Sequence, residues 1–391
     1  MATLRKIESM AFAFRTFSQA FYLSFFRSKG TAAHLSPRRV TILLIFFLVY
    51  PLVTIVNRIC LWLDDILFPG YRRSPVKEPV FIVGNPRSGT TLLHRLLAQD
   101  RHYTYSFLTW HLIFPAITQK KILSLWGRLD HFLGSPMKRL IEAIEARALR
   151  NFNKIHHTGL FQPEEDELIL LHIFASAYLI FLFPFDQLRW LYNRFDFEAE
   201  PKQRGRIMSY YRDCVKRQAY FCPGRTRLIS KNPAFTQKIE SLYEYFPDCK
   251  IICMVRNPLE VIPSMQSILH AVWKHTLDIH FNQDLTEHVY ETARIFYRYP
   301  LERLPQRDDS SYAIVNYHDL VRQPSTVVKQ VYQRFGFTLS PEYAGLLERE
   351  DEKVRKYVSR HVYSLEQYNL TRERILEDLK DIFERFGFER G

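Results

Sequence analysis

Residues 80 to 100 read VFIVGNPRSGTTLLHRLLAQD, and this stretch decides the fold. Four apolar residues typical of a buried strand precede a glycine-bounded turn, and an apolar helical register follows it. The spacing Gly84-x-x-x-x-Gly89 is that of a phosphate-binding loop, in which backbone N–H groups and the positive end of a helix dipole face an anion. Thr90 stands where ATP-binding loops carry lysine, and Arg87 supplies a cation inside the loop instead. The loop therefore predicts a phosphate-like ligand other than ATP.

The rest of the chain alternates short apolar stretches with longer helical registers. Four strands are predicted, at Val80 to Val83, Leu228 to Ser230, Lys250 to Val255 and Tyr312 to Asn316. Strands separated by helical stretches indicate the α/β class, with a central parallel sheet flanked by helices. A further apolar run, Leu168 to Phe185, is typical of a buried helix.

The chain is strongly basic. Its 391 residues carry a formal net charge of +13 at pH 7, which indicates an anionic partner. Residues 1 to 39 hold seven basic residues against Glu8 alone, so +6 of that total lies in this segment. No recognised base-reading or stacking motif accompanies the charge, and the sequence therefore predicts a membrane surface or a phosphate-bearing small molecule rather than nucleic acid. The five cysteines form no C-x-x-C pair, and no metal site is predicted.

The N-terminal segment has the composition of a membrane-associated region. Phe14 to Lys29 is basic, aromatic and amphipathic, like helices that lie in a bilayer interface. Val40 to Val56 is an uncharged apolar run near the lower limit of about 17 residues for a spanning helix, and Pro51 can kink it. The alternative is that both stretches are helices packed on the main domain. The predicted division is a membrane-associated segment, residues 1–74, followed by a catalytic domain, residues 75–391.

Two stretches of the sequence resemble a known enzyme family. PRSGTT, at residues 86–91, resembles the 5′-phosphosulfate loop of sulfotransferases that use 3′-phosphoadenosine 5′-phosphosulfate (PAPS). KIICMVRNPLEVIPSMQSI, at residues 250–268, is similar to the segment that binds the 3′-phosphate in that family, with an arginine at the strand end and a serine eight positions later. The resemblance implies PAPS as cosubstrate, its 3′-phosphate held by Arg256 and Ser264 and its 5′ end held by Arg87, Ser88, Gly89, Thr90 and Thr91.

Two further stretches extend the resemblance over most of the chain after residue 75. RLISKNP, at residues 227–233, is similar to the family's strand that ends in a lysine near the transferred group, and VNYHDLVRQP, at residues 315–324, resembles its Y-x-D-L turn. Together with the tail HVYSLEQYNL, at residues 361–370, they resemble the branch of bacterial-type enzymes that sulfate lipidic or quinone-like alcohols, and they imply the P-loop sulfotransferase fold. Lys231 is then expected to offset charge on the leaving phosphate; the alternative is a solvated strand end. Pro233 stands where cytosolic sulfotransferases carry a catalytic histidine, so the base must come from elsewhere.

Two candidates for the catalytic base remain open. Where the related branch often carries a T-W-E stretch, the chain reads LTWH and offers His111, a residue type that titrates near neutral pH. FQPEEDE offers Glu164, Glu165 and Asp166, similar to the P-E-E element of the branch, and clustered acids beside an apolar run have the environment of a catalytic base. The alternative for these acids is structural, as charges that complement the dipole at the start of a helix.

The function predicted from these motifs is transfer of the sulfuryl group of PAPS to a hydroxyl of an amphiphilic or lipid-like acceptor, without a metal ion. The alternatives are a P-loop kinase acting on a small molecule and a sulfotransferase acting on a carbohydrate. The expected partners are a membrane lipid surface and a lipid-like alcohol, and no nucleic acid. The expected location is the cytoplasmic face of the membrane in a bacterium or the Golgi membrane in a eukaryote. The sequence predicts neither the exact acceptor nor the oligomeric state.

Overall fold

A computed structural model describes residues 2–100, 103–148, 159–355, 365 and 368–389. Its core is a five-stranded parallel sheet in the order β2-β3-β1-β4-β5. The strands are β1 (Val80–Gly84), β2 (Thr104–Tyr105), β3 (Arg227–Lys231), β4 (Lys250–Val255) and β5 (Tyr312–Asn316). The α/β class with a central parallel sheet is therefore confirmed. Four of the five strands were predicted, and β2 was not.

Helices cover both faces of the sheet and form the N-terminal segment. The first half of the chain contributes α1 (Ala2–Phe26), α2 (Pro37–Leu67), α3 (Thr90–Leu97), α4 (Thr109–Ile113), α5 (Ile117–Phe132) and α6 (Pro136–Ala148). The second half contributes α7 (Arg189–Tyr192), α8 (Phe195–Glu198), α9 (Pro201–Phe221), α10 (Ile239–Tyr245), α11 (Pro258–Val272), α12 (Gln283–Arg303), α13 (Tyr317–Arg322), α14 (Pro324–Phe335), α15 (Pro341–Arg355), α16 (Arg372–Asp378) and α17 (Lys380–Phe386).

The central strand β1 is buried along its whole length, as expected for a parallel strand with helices on both faces. Its side chains alternate between two hydrophobic clusters. Phe81 and Val83 face the larger cluster, whereas Val80 and Ile82 face a second cluster that includes Leu93 of α3. The strand, its loop and the following helix are thus held together by packing on both sides of the sheet.

The run from Leu168 to Phe185 is buried over much of its length but is not one helix. It forms two short 3₁₀ helices, Asp166–Ile173 and Ala177–Phe181. The prediction of a single helix was wrong because Phe174 has a left-handed backbone (φ 52°), and a buried carboxylate then stabilises the break. Glu167 accepts hydrogen bonds from the hydroxyl of Ser176 at 2.5 Å and from the amide of Ala177 at 2.7 Å.

The N-terminal helices share the hydrophobic core of the sheet domain. Ala20 and Leu23 of α1 and Leu43 of α2 are buried in the same cluster as Phe81 of the central strand. α2 has 31 residues, contains Pro51, and is long and apolar enough to cross a membrane by length and composition. α2 therefore packs on the main domain and also has the composition of a membrane helix.

Candidate active site

The phosphate-binding loop connects β1 to α3 and depends on its two glycines. Gly84 has φ 121° and Gly89 has φ 90°, a region that residues with a Cβ rarely adopt. A Cβ at Gly84 would lie 2.3 Å from the carbonyl oxygen of Met254, and one at Gly89 would lie 2.5 Å from Cδ2 of Tyr317. Only glycine allows the loop to pass this close to β4 and α13.

Hydrogen bonds hold both ends of the loop. The hydroxyl of Thr236 accepts from the amide of Gly84 at 2.8 Å and donates to its carbonyl oxygen at 3.1 Å. The hydroxyl of Ser88 donates to the carbonyl oxygen of Asn85 at 2.6 Å. α3 then begins at Thr90, and the first amides of a helix have no partner within it, so they are available to an anion.

Arg87 joins the two predicted phosphate sites. Its backbone is left-handed (φ 70°), and its Nε donates to the hydroxyl of Ser264 at 3.2 Å. Its carbonyl oxygen accepts from Nη1 of Arg256 at 3.0 Å. The residues expected at the 5′ end of the nucleotide thus contact the pair expected at its 3′-phosphate.

Arg256 follows β4 and is held on several sides. Its Nε donates to Glu260 of α11 at 2.9 Å, and its guanidinium lies 4.2 Å from the ring centroid of Tyr317. The hydroxyl of Tyr297 donates to the Arg256 carbonyl oxygen at 2.8 Å. Ser264 lies within α11, so the spacing of eight residues brings a strand-end arginine and a helical serine to the same loop.

Lys231 ends β3, which lies beside β1 in the sheet. Its side chain is 1% exposed, which excludes the alternative of a solvated strand end. The ammonium lies 2.7 Å from a carboxylate oxygen of Glu165 and 3.5 Å from one of Glu164. The predicted lysine and the predicted acids therefore form one cluster.

His111 is buried and its ring is already engaged. Nδ1 accepts from the backbone amide of Leu108 at 3.1 Å and lies 3.0 Å from Nε2 of Gln218. Burial, together with the nearby charge of Lys120, holds the pKa of His111 far below its usual value. The segments that carry the two base candidates lie side by side, since Leu108 forms an antiparallel bridge with Pro163.

Asp166 is the third acid that the sequence offered as a candidate base, beside Glu164 and Glu165. It is buried, with one carboxylate oxygen accepting from the hydroxyl of Ser230 at 2.7 Å and the other from the hydroxyl of Tyr211 at 2.6 Å. Burial raises its pKa to about 6. The carboxylate thus ties the acidic segment to the residue before Lys231. Its position beside Glu165 was visible in the sequence, but its contacts with β3 and α9 were not.

A glycine-bounded loop, an arginine at the next strand and a lysine–glutamate cluster on the other side have the arrangement of a group-transfer enzyme. The sequence model of the Sulfotransferase family matches residues 79–341, and the chain belongs to that family. Over 360 residues it is 29% identical to the omega-hydroxy-beta-dihydromenaquinone-9 sulfotransferase of Mycobacterium bovis, covering 88% of this chain and 84% of that protein. The enzyme of the same name from Mycobacterium tuberculosis has the same identity and coverage.

Solved structures confirm the sulfotransferase fold. Sulfotransferase STF1 from Mycobacterium tuberculosis H37Rv has a TM-score of 0.70 and 21% identity, covering 93% of this chain and 92% of its own. Sulfotransferase STF9 from Mycobacterium avium has a TM-score of 0.66 and 21% identity, covering 84% of this chain and 82% of its own. The chain is therefore a sulfotransferase with the fold that its loop predicted.

Proposed function

We propose that the enzyme transfers the sulfuryl group of PAPS to the hydroxyl of a lipid-like alcohol. One observation supports this most directly: Lys231, the phosphate loop and Arg256 follow three neighbouring strands, β3, β1 and β4, at their carboxyl ends. Ligands of open parallel sheets bind at this edge. A nucleotide with phosphates at both its 3′ and 5′ positions fits the two basic sites, and Lys231 and its acids lie on the side of the 5′ end.

The nucleotide is held mainly through its phosphates. Arg87, Ser88, Gly89, Thr90 and Thr91 surround the 5′ end, with the helix N-terminus favouring its negative charge. Arg256 and Ser264 bind the 3′-phosphate, which ATP lacks. The bond between Arg87 and Ser264 fixes the relative position of these groups before any ligand binds.

The reaction is a displacement at sulfur. The acceptor oxygen forms a bond to sulfur while the bond from sulfur to the 5′-phosphate oxygen breaks, leaving a sulfate ester and adenosine 3′,5′-bisphosphate. Lys231 stabilises the charge that develops on the leaving phosphate, and a carboxylate takes the proton of the acceptor hydroxyl. PAPS supplies the sulfuryl group, and the proposed reaction uses no metal ion.

The base in this proposal belongs to the Glu164–Glu165 pair. Both carboxylates lie within 3.5 Å of Lys231, so a hydroxyl bound there can meet the acid and the lysine together. His111 is disfavoured because its Nδ1 already accepts a hydrogen bond from Leu108. Burial also lowers the pKa of the ring, which makes it a poor proton acceptor. Its role in the proposal is to hold the segment at Leu108 that pairs with the acidic segment.

The acceptor class is supported by the relative that acts on a hydroxylated dihydromenaquinone. A lipid-like alcohol also agrees with a membrane-associated enzyme, which the apolar composition of α2 supports. Because the relatives named above are bacterial, we place the enzyme at the cytoplasmic face of the membrane. A kinase activity is disfavoured because the loop lacks the lysine of ATP-binding loops. A carbohydrate acceptor has less support, since the relative with a named acceptor acts on a quinone alcohol.

The proposal is tested with full-length protein, sulfur-radiolabelled PAPS, and either an ω-hydroxylated menaquinone in detergent micelles or a soluble sugar. We expect label in the organic phase with the quinone alcohol only. Lys231→Ala should lower the rate by about 100- to 1,000-fold, the usual effect of removing one electrostatic stabiliser. Label in the sugar alone would refute the acceptor class, and transfer from γ-labelled ATP would refute the nucleotide assignment.

A further inference from the structure

Most polar side chains of α2 face the protein, whereas most of its apolar side chains face outward. Buried Arg39 donates to the carbonyl oxygens of Ala33 at 3.0 Å and Leu182 at 2.8 Å. Farther along the helix, the hydroxyl of Tyr50 donates to the carbonyl oxygen of Leu171 at 2.7 Å. Further buried polar contacts follow at Asn57 and Asp64. α2 is thus fastened to the domain along almost its entire length.

The outward face of α2 is apolar and exposed. Twelve large hydrophobic residues on this face are between 42% and 69% exposed: Leu44, Ile45, Leu48, Val49, Leu52, Val53, Ile55, Val56, Ile59, Trp62, Ile66 and Leu67. A contiguous apolar surface of this kind marks an interaction with a partner or with a membrane.

The hairpin formed by α5 and α6 carries a second exposed apolar surface. Nearly all of its residues after the first turns of α5 are exposed. Its large apolar residues recur at helical spacing and are at least half exposed: Ile122, Leu125, Trp126, Leu129, Phe132 and Leu133 on α5, and Met137, Leu140 and Ile144 on α6.

Buried hydrogen bonds fix the start of α5 to α2. Asp64 accepts from the backbone amides of Ile117 and Thr118, both at 2.8 Å. Asn57 accepts from the side-chain amide of Gln119 at 2.6 Å. The start of the hairpin therefore has a fixed position against the second half of α2.

The connections on both sides of α2 lie on the same body. Before it, Phe17 of α1 lies 5.5 Å from Phe174 between ring centroids, and Ala20 is buried in the main core. After it, the chain enters the central strand of that same core. A helix whose two flanking segments pack together cannot separate them across a bilayer without breaking this core.

Exposed basic residues lie near both ends of α2 and on the hairpin. They are Arg27 and Lys29 before α2, Arg38 in its first turn, Arg72 and Arg73 after it, and Lys121, Arg128, Lys138 and Arg139 on the hairpin. Each basic residue near an anionic membrane surface contributes about 1 kcal/mol of attraction. This combination of an apolar face and a basic border fits a bilayer that contains anionic lipid.

We propose that the outward faces of α2 and the α5–α6 hairpin form one surface, the apolar platform, on which the enzyme sits in a single leaflet of an anionic bilayer. α2 lies along the membrane and does not cross it. The hairpin inserts beside it. This inference concerns the membrane and does not depend on the acceptor or the reaction proposed above.

Charged substitutions on the hairpin test the proposal. Successive residues of a helix are about 100° apart, so Trp126 and Leu129 share the apolar side of α5 whereas Ser124 and His131 lie on the opposite side. Trp126→Glu with Leu129→Glu and Ser124→Glu with His131→Glu each add two carboxylates. In flotation with vesicles of phosphatidylcholine and phosphatidylglycerol, the first pair should bind at least about a hundredfold more weakly than the second, which carries the same added charge.

Several results would overturn the proposal. The first is absence of vesicle binding by the wild-type chain, and the second is equal binding by both double variants. The third is loss of a dimer in sedimentation by Trp126→Glu with Leu129→Glu while vesicle binding is unchanged, which would mean that a second copy covers the hairpin. Thermal unfolding establishes that each variant is folded, and Phe132→Ser with Leu133→Ser is a second, uncharged test. Transfer to a soluble alcohol is measured separately, so failure of the platform is distinguishable from failure of the enzymatic assignment.

A topology experiment tests the position of α2. Protease-cleavable tags at both termini of the full chain are assayed in sealed membrane vesicles from expressing cells. We expect the two tags to be cleaved together or protected together. Cleavage of one tag with protection of the other would show that α2 crosses the bilayer, and would refute a platform in one leaflet.

Discussion

Replacing Arg256 with alanine should remove most of the energy that the enzyme gains from the 3′-phosphate. The side chain is 17% exposed and held between Glu260 and the ring of Tyr317, so it is already positioned for a phosphate. Hydrogen bonds to charged groups contribute about 1.5–3 kcal/mol, and Glu260, 38% exposed, adds little repulsion when left alone. We therefore expect Arg256→Ala to weaken binding of adenosine 3′,5′-bisphosphate by about 2–3 kcal/mol, or roughly 30- to 150-fold.

Calorimetry with two nucleotides separates this effect from a general disturbance of the loop. Adenosine 5′-monophosphate lacks the 3′-phosphate and should lose far less affinity, because the variant then disturbs the 5′ site only through the lost contact of Arg256 with the Arg87 carbonyl oxygen. Arg334→Ala is the matched control. Arg334 also pairs with a carboxylate, at 3.3 Å, and lies over a tyrosine ring, but it does so at the amino end of β5. Equal losses for the two nucleotides, or no loss for either, would refute the assignment of Arg256.

Four further expectations follow from the site. Glu164→Gln and Glu165→Gln are assayed separately, and we expect at least one to abolish turnover with nucleotide affinity unchanged; near wild-type rates in both would remove the base from this pair. His111→Ala should lower the free energy of unfolding by about 1–3 kcal/mol while the rate per folded molecule is retained, and a selective loss of turnover would contradict its structural role. Gly89→Ala should abolish nucleotide binding in calorimetry, because its backbone has φ 90° and a Cβ would lie 2.5 Å from a tyrosine ring; normal affinity would show that the loop rearranges freely. As the pH rises from roughly 4 to 6, Asp166 should lower the free energy of unfolding of the wild type by about 3 kcal/mol. Its pKa is raised from 3.8 to about 6, so only the native state holds the proton in that window and must give it up as the pH rises. Urea unfolding across this range should show that contribution missing in Asp166→Asn, and parallel curves would contradict it.

The parts of the fold that sequence reasoning found are those fixed by local pattern. β4 and β5 have the predicted bounds because each is a continuous apolar run that begins and ends at a change in polarity. The phosphate loop was identified because its glycines are required by backbone geometry, and geometry of this kind leaves a fixed spacing.

The parts that were missed depend on contacts between distant residues. β2 has only two residues, Thr104 and Tyr105, and is a strand only because β3 lies beside it. Asp166 bonds to Ser230, 64 positions away, and no local pattern indicates this pair. The break at Phe174 follows from a left-handed residue in an apolar run, where composition alone favours a continuous helix.

The direction in which the apolar helix faces point could not be predicted from the sequence, for a different reason. Periodicity shows that α5 has an apolar side, but the same pattern serves a helix that faces a core and one that faces a membrane. In α2, the deciding residues were the few polar ones. Asn57 and Asp64 look like interruptions of a membrane span, whereas the structure shows them as the contacts that fasten the helix to the domain.

One short segment connects the active site to α2, the helix that carries the apolar platform, and its length indicates how a membrane-borne acceptor can reach Lys231. The 3₁₀ helix Asp166–Ile173 begins directly after Glu165, which holds Lys231, and at its other end Leu171 accepts a hydrogen bond from Tyr50 of α2. At about 2 Å per residue, the six positions from Glu165 to Leu171 span roughly 12 Å. Tyr50 contacts Leu171 on the inner side of α2, so the platform lies farther from Glu165 by about the width of a helix, roughly 10 Å. A hydroxyl at the end of a long lipid-like chain can cover the sum while the rest of the chain stays among the bilayer lipids. A short soluble alcohol gains nothing from such a connection, and the advantage of the long acceptor should therefore disappear when the hairpin no longer binds the membrane.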